Sequence, residues 1–317
     1  MYKTAIFSIV LVFNTLFSIE FLENGVEVFS INSDAQIGAM GGNNPALIGI
    51  NGKILNNPAL GNVKTKDLLS FTYRNHFSGL VSDHIITTNI NQKYINNLSF
   101  GIIYRSIEKI PNTLDAFTFN GNQVIPIDYN LISYFNHWEL ASIVSLASKL
   151  ASYEVGLNIK SLIYSVSNEK AFGLGFDIGL INNINEFVRF GMVMKNFPIT
   201  IVNWSTNRIE ISKPQLSLGF NYFKNKTNLA SGTELKNSRK VNFNGGVKYS
   251  FNKDLDVLVG YNNKFSYSFG IEIKNQIFII NYSYISGSSE VPFKSSHEMT
   301  LSFDKEKIYK LGDYINP

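Results

Sequence analysis

The chain has no cysteine. That removes a disulfide framework, a thiolate metal site, a thiol nucleophile and a lipoprotein anchor. Charge is scarce: 16% of the 317 residues are Asp, Glu, Lys or Arg, a low share for a soluble globular protein. The net charge of +4 is spread along the sequence, and no Lys/Arg cluster offers a footprint for nucleic acid. There are only 2 Trp, and beyond the N-terminus no apolar run is long enough for a membrane-spanning helix. What is plentiful is Phe (25), Tyr (16) and Gly (23). Little charge, many aromatics and a mean hydropathy of +0.01 fit a β-barrel with an apolar lipid face and a wet lumen.

The first residues carry Lys3 and then the apolar run Ala5 to Phe13, interrupted at Asn14 and resumed by Leu16-Phe17-Ser18. A short positive region before a short apolar core reads as a secretory signal over residues 1–18. Residues 19–67 have mixed character and turn chemistry, 68–303 form a strand array, and 304–317 make a charged tail with Lys305, Lys307 and Lys310.

The strand array is the dominant signal. In Phe172-Gly173-Leu174-Gly175-Phe176-Asp177-Ile178-Gly179-Leu180, large apolar residues alternate with small or charged ones. The same period of two sets Tyr267, Phe269, Ile271 and Ile273 against Ser266, Ser268, Gly270, Glu272 and Lys274, and Leu216, Leu218, Phe220 and Tyr222 against Ser217, Gly219 and Asn221. In a membrane barrel the apolar row faces lipid and the other row faces the lumen. The pattern predicts an all-β fold, a 14-stranded antiparallel transmembrane β-barrel. Its strands span 68–76, 79–91, 97–108, 137–149, 153–166, 171–182, 186–196, 213–223, 227–236, 240–251, 255–262, 265–274, 276–286 and 295–303. With a periplasmic start, the long connections 109–136, 197–212 and 287–294 all fall on the extracellular side. The turns at Asn183-Ile184-Asn185, Lys224-Asn225-Lys226, Asn252-Lys253-Asp254 and Asn275 fall on the periplasmic side. Backbone groups in lipid must pair internally, so the first strand should meet the last. The final strand, His297 to Phe303, resembles the signal that barrel-assembly machinery reads.

No catalytic, cofactor-binding or metal-binding residues are expected. His76, His84, His137 and His297 lie on separate strands without ligand spacing and read as interfacial or lumenal polar groups. Asp177, Glu154, Glu234 and Glu272 fall on lumenal rows, with Lys160, Arg189 and Lys248 as expected partners. Glu154 and Asp177 carry nothing that marks them as an acid–base pair. Gly173-x-Gly175-x-x-x-Gly179 lies within a strand and is no phosphate loop; Gly245-Gly246 reads as a kink or bulge. Trp138 and Trp204 border long loops and read as part of an interfacial aromatic girdle.

One motif carries a family resemblance. Ala35-Gln36-Ile37-Gly38-Ala39-Met40-Gly41-Gly42, followed by Asn56-Asn57-Pro58-Ala59-Leu60, resembles the N-terminal signature of the PorV/PorQ family, barrels similar to the FadL fatty-acid transporters. The family pattern reads closer to Gly-Ala-Arg-x-x-x-Met-Gly-Gly-Ala with an aromatic before Asn-Pro-Ala-Gly; here Gln36, Asn43, Asn56 and Leu60 depart from it. The resemblance implies a bacterial outer-membrane protein without enzymatic activity, whose N-terminal segment is periplasmic or plugs the lumen. It implies a component or cargo-docking protein of a type IX-like secretion system, with 109–136 and 197–212 as contact surfaces. The alternative is a FadL-like transporter of a hydrophobic small molecule, with an apolar pocket near the N-terminal segment and a lateral opening at Gly245-Gly246. A purely structural or surface-interaction barrel is the third reading. The partners expected are outer-membrane lipid, secretion-system proteins or exported cargo, and a hydrophobic small molecule, with no nucleic acid and no cofactor.

Overall fold

The computed structural model describes residues 27–50, 52–63, 68–90, 97–116, 119–120, 123–124, 128–235, 241–263, 266–287 and 295–308. The signal-peptide expectation and most of the C-terminal tail lie outside them.

Fourteen strands form the wall: β1 Leu68–His76, β2 Val81–Ile90, β3 Leu98–Asn112, β4 Ser133–Leu150, β5 Tyr153–Val166, β6 Glu169–Asn183, β7 Val188–Lys195, β8 Gln215–Lys224, β9 Thr227–Leu235, β10 Val241–Ser250, β11 Leu255–Asn262, β12 Ser266–Lys274, β13 Phe278–Ile285 and β14 Ser296–Asp304. Each pairs antiparallel with its sequence neighbours. The sheet closes where β1 meets β14, from Leu68 opposite Asp304 to Asn75 opposite His297. Closure leaves no wall edge unpaired in lipid, where every backbone group needs an internal partner.

The alternation sorts the faces as the sequence predicts. Phe172, Leu174, Phe176 and Ile178 stand exposed on the outside, while Gly173, Gly175, Asp177 and Gly179 are buried within. Outward aromatic rows cross neighbouring strands, as in Tyr73–His84–Tyr104 over β1 to β3 and Tyr282–His297–Tyr284 over β13 and β14. An apolar outer band with aromatic rings suits a lipid environment.

Three expectations need correction. First, β3 and β4 run beyond the predicted 108 and 137 as a two-stranded ribbon, through a register shift between Ile107 and Ile110. Pro111 continues β3 opposite Tyr134 of β4, and beyond Ser106 the other edge of β3 has no partner among the described residues, the edge setting in which a strand tolerates proline. Second, connection 197–212 holds a hairpin, Thr200–Trp204 with Ile209–Ser212, that pairs with the upper part of β6 after β7 has ended. Third, Gly245-Gly246 makes no bulge: both stay in register with β9 and β11. No lateral opening is formed there.

Candidate functional site

The lumen is the candidate site, and residues 27–50 and 52–63 occupy it. A helical turn α1, Ala35–Ala39, packs against β11 to β14, the turn Gly52–Leu55 against β3 and β4, and the 3-10 turn Pro58–Asn62 against β4, β5 and β6. Asp34 Oδ1 accepts from Ile37 N at 2.9 Å, capping α1, and Gly41 and Gly42 leave it with φ of 89° and 102°.

On one side the plug rests directly on the backbone of the wall. Each strand from β5 to β12 turns one glycine toward it: Gly156, Gly179, Gly191, Gly219, Gly232, Gly246, Gly260 and Gly270. Three cross-strand glycine pairs form seats. Met40-Gly41 rests on Gly246 and Gly260, Asn44-Pro45 on Gly219 and Gly191, and Asn57-Pro58 on Gly179 and Gly156. A Cβ at Gly246 would lie 2.5 Å from the Met40 carbonyl oxygen, so only glycine permits this approach. Within the Gly-Gly dipeptide, Gly246 is thus a seat for the plug.

The two Asn-Pro seats are a repeat that the sequence reading missed. Asn43-Asn44-Pro45-Ala46-Leu47 and Asn56-Asn57-Pro58-Ala59-Leu60 are identical stretches. Asn44 Oδ1 accepts from Ala46 N at 2.9 Å, and Asn57 Oδ1 accepts from Ala59 N at 3.0 Å. The copies also bind each other: Asn57 Nδ2 donates to Pro45 O at 2.9 Å, and Asn56 Nδ2 donates to Leu47 O at 3.2 Å. A search for short internal repeats would have found the signal.

Above the seats the lumen has an apolar sector. Ile85 of β2, Ile103 of β3, Ala141 and Ile143 of β4, Leu162 and Tyr164 of β5, Ala171 of β6 and Val202 of the hairpin turn inward together. Val28, Phe29 and Ile31 fill the space between them, with Ile54 and Leu55 below. Trp204 closes the sector by stacking on Tyr164 at 5.9 Å between centroids. The girdle assignment for Trp204 is therefore corrected: the hairpin turns its ring into the lumen.

Buried charges flank this sector. Arg105 Nε donates to Asp83 Oδ1 at 2.7 Å, and Arg74 Nη2 donates to Glu298 Oε1 at 2.7 Å. Arg74 Nη1 also reaches the plug at Asn32 O, 3.0 Å away. Lys160 Nζ donates to Asp177 Oδ1 at 2.6 Å and lies 4.6 Å from the Phe29 ring centroid. Near the opposite mouth Lys248 and Lys274 bridge Asp256 and Glu272. There a cavity of about 230 Å³ is lined by Gln36, Ile48, Leu68, Lys248, Glu272 and Ile279, among others.

Of the carboxylates read as lumenal, Asp177 and Glu272 find the expected Lys160 and Lys248. Glu154 instead accepts from Asn62 and Glu234 from Asn242, while Arg189 donates to Asn183. His76 meets Asp83 and His137 meets Glu139 inside, whereas His84 and His297 face outward among tyrosines. Among the described residues no group of three or more His, Asp or Glu side chains is placed to hold a metal ion.

No family model and no curated protein matches the sequence. Solved structures do. The Pseudomonas putida toluene transporter TodX superposes with a TM-score of 0.58 and 11% identity, over 86% of this chain and 98% of that one. A TodX monoaromatic hydrocarbon channel deltaS2 mutant gives 0.55 and 12%, over 85% and 96%. A Pseudomonas aeruginosa FadL homologue gives 0.50 and 10%, over 90% and 100%. At such identities the likeness is one of fold: a closed 14-stranded antiparallel barrel of the outer-membrane kind. The exposed apolar band is the chain's own sign of the same membrane setting. Nothing in these comparisons points to PorV/PorQ in particular.

Proposed function

We propose that this outer-membrane barrel carries a hydrophobic small molecule, as a FadL-like channel would. One observation carries the reading. A barrel lumen is ordinarily polar, yet five neighbouring strands and the hairpin turn an apolar surface inward, filled by Val28, Phe29 and Ile31. Apolar side chains aimed into a lumen gain nothing from water, and they suit a site that exchanges one apolar occupant for another. Phe29 is the occupant to be displaced.

The test is binding of an apolar fluorophore, N-phenylnaphthylamine, to the purified barrel. Phe29→Ala opens the sector and raises probe binding; Phe29→Trp overfills it and lowers binding. Equal binding by both variants and by a lipid-only control would sink the reading.

The second reading, docking of exported cargo or secretion-system proteins, has its own support. The ribbon and its connection carry Leu114, Tyr129, Leu131 and Tyr134 exposed beyond the wall. The PorV/PorQ-like motif itself does not favour this reading, because Met40, Gly41, Asn57 and Pro58 are plug seats that any plugged barrel could use.

A further inference from the structure

One row of inward side chains crosses the long-loop end of the lumen. Glu298 of β14 lies opposite Arg74 of β1, Arg74 opposite Asp83 of β2, Asp83 opposite Arg105 of β3, and Arg105 opposite Glu139 of β4. Charge alternates along the row as far as Glu139. Beyond it the row continues as Tyr164, Ala171 and Trp204, which bring no cation.

The last carboxylate is left over. Asp83, Asp177, Glu210, Asp256, Glu272 and Glu298, the other buried carboxylates of the wall and hairpin, each meet a Lys or Arg. Glu139 has no such partner among the described residues. It is 6% exposed; His137 Nε2 lies 2.8 Å from its Oε1, and its Oε2 has no hydrogen-bond partner. As a neutral imidazole, His137 can donate one bond there but brings no charge. Arg105 is turned away, with Nε and Nη2 both on Asp83. The complement of a buried, unpaired carboxylate is a cationic N–H donor.

Glu139 stands at the edge of the apolar sector. The next inward row is Ile85, Ile103, Ala141, Leu162, Gly173 and Val202. The row after that sets Ile143 opposite Lys160, which Asp177 holds. Four residues of strand separate Glu139 from Ile143, so the apolar belt is about 13 Å tall between its two polar rows. The plug's 3-10 turn Glu27–Ser30 packs against β4, with Val28 and Phe29 in the belt. Its first residue is a poor partner for Glu139: Glu27 has the same sign, and both lie within electrostatic reach of Arg105 and Tyr164. An apolar molecule that displaces this turn meets Glu139 as the unpaired group at one end of its site.

We infer that Glu139 selects the head group of the ligand, which is an organic amine: an ammonium group on Glu139 Oε2 and an apolar body in the belt below. This rests on the ligand reading above and narrows it. A carboxylate head would bring like charge to Glu139, and a bare hydrocarbon would leave it unpaired. Tyr164 and Trp204 beside it are aromatic neighbours that suit a cation.

The test compares octylamine, octanol and octanoate, which share one chain and differ in the head. Each is titrated calorimetrically at pH 7 into the barrel in phosphatidylcholine nanodiscs, with empty nanodiscs as the blank. The unmodified barrel and Glu139→Gln are used, each shown to be folded by heat-modifiable gel migration. The expected result is octylamine bound at least tenfold more tightly than octanol, with octanoate weakest. Glu139→Gln should erase the advantage of the amine and leave octanol binding within about twofold. Octanoate binding as tightly as octylamine, or an amine advantage that survives Glu139→Gln, overturns the head-group assignment and leaves the ligand reading standing. Should Glu139→Gln not fold, the ranking on the unmodified barrel still decides, because equal binding of amine and alcohol overturns the assignment alone. Binding of none of the three defeats the ligand reading and the assignment with it.

Discussion

Asn44 and Asn57 do the same work at two places in the lumen. Each side-chain oxygen accepts from the amide two residues on, and each following proline lies over an in-register glycine pair of the wall. The bond fixes the turn, the proline fixes the chain direction, and the glycines let backbone meet backbone. Replacing either Asn by Ala should cost about 1 kcal/mol for the lost cap. Asn57 should cost more, since its Nδ2 also reaches Pro45 O, Leu180 O and Met192 O. Thermal unfolding of the two single variants, followed by heat-modifiable migration, checks the order.

Neighbouring glycines should differ sharply. A Cβ at Gly246 would meet Met40 O at 2.5 Å, whereas the nearest atom to one at Gly245 is Ala230 O at 3.3 Å. Gly246→Ala should destabilise by about 1–3 kcal/mol through overpacking and loosen the plug, raising single-channel conductance in planar bilayers. Gly245→Ala should behave nearly as wild type. Equal effects would mean that Gly246 is no seat.

The pair Arg74–Glu298 joins β1 to β14 across the closing seam and ties both to Asn32 of the plug. Removing one partner strands a buried charge, so Arg74→Leu or Glu298→Leu alone should cost about 3–5 kcal/mol. The double variant should recover much of the loss. A double-mutant cycle on unfolding midpoints measures it, and additive losses would contradict a direct pairing.

Phe176 and Asp177 are adjacent and face opposite solvents. Phe176→Arg puts a charge toward lipid and should cost about 2–4 kcal/mol if the residue lies near the midplane. Asp177→Asn keeps shape but strands Lys160, so it should weaken the lumen without blocking insertion. Fractionation of outer membranes and the folded yield of each variant separate the two effects.

Much of the barrel was legible because its physics is local. Period two, strand length and loop parity each restate the bilayer's demand for closed, two-faced strands, and runs such as Phe172 to Leu180 carry the first two signals. The hairpin at 200–212 was not legible, because it pairs with a part of β6 freed only when β7 stops at Lys195. The glycine seats were visible only as a small, polar row. Their meaning depends on which backbone lies opposite, and residues 40–58 are distant in sequence from Gly156 to Gly260. The apolar sector around Phe29 was hidden for the same reason: Ile85, Ile103, Ile143 and Leu162 each look like single exceptions on separate lumenal rows.

Native mass spectrometry of the barrel, extracted gently from its own outer membrane, tests the central claim most directly. The account predicts a monomer carrying one small apolar or amphipathic mass, lost when Phe29→Trp fills the sector. A ligand-free barrel held in a stable complex with another protein would contradict it and favour docking.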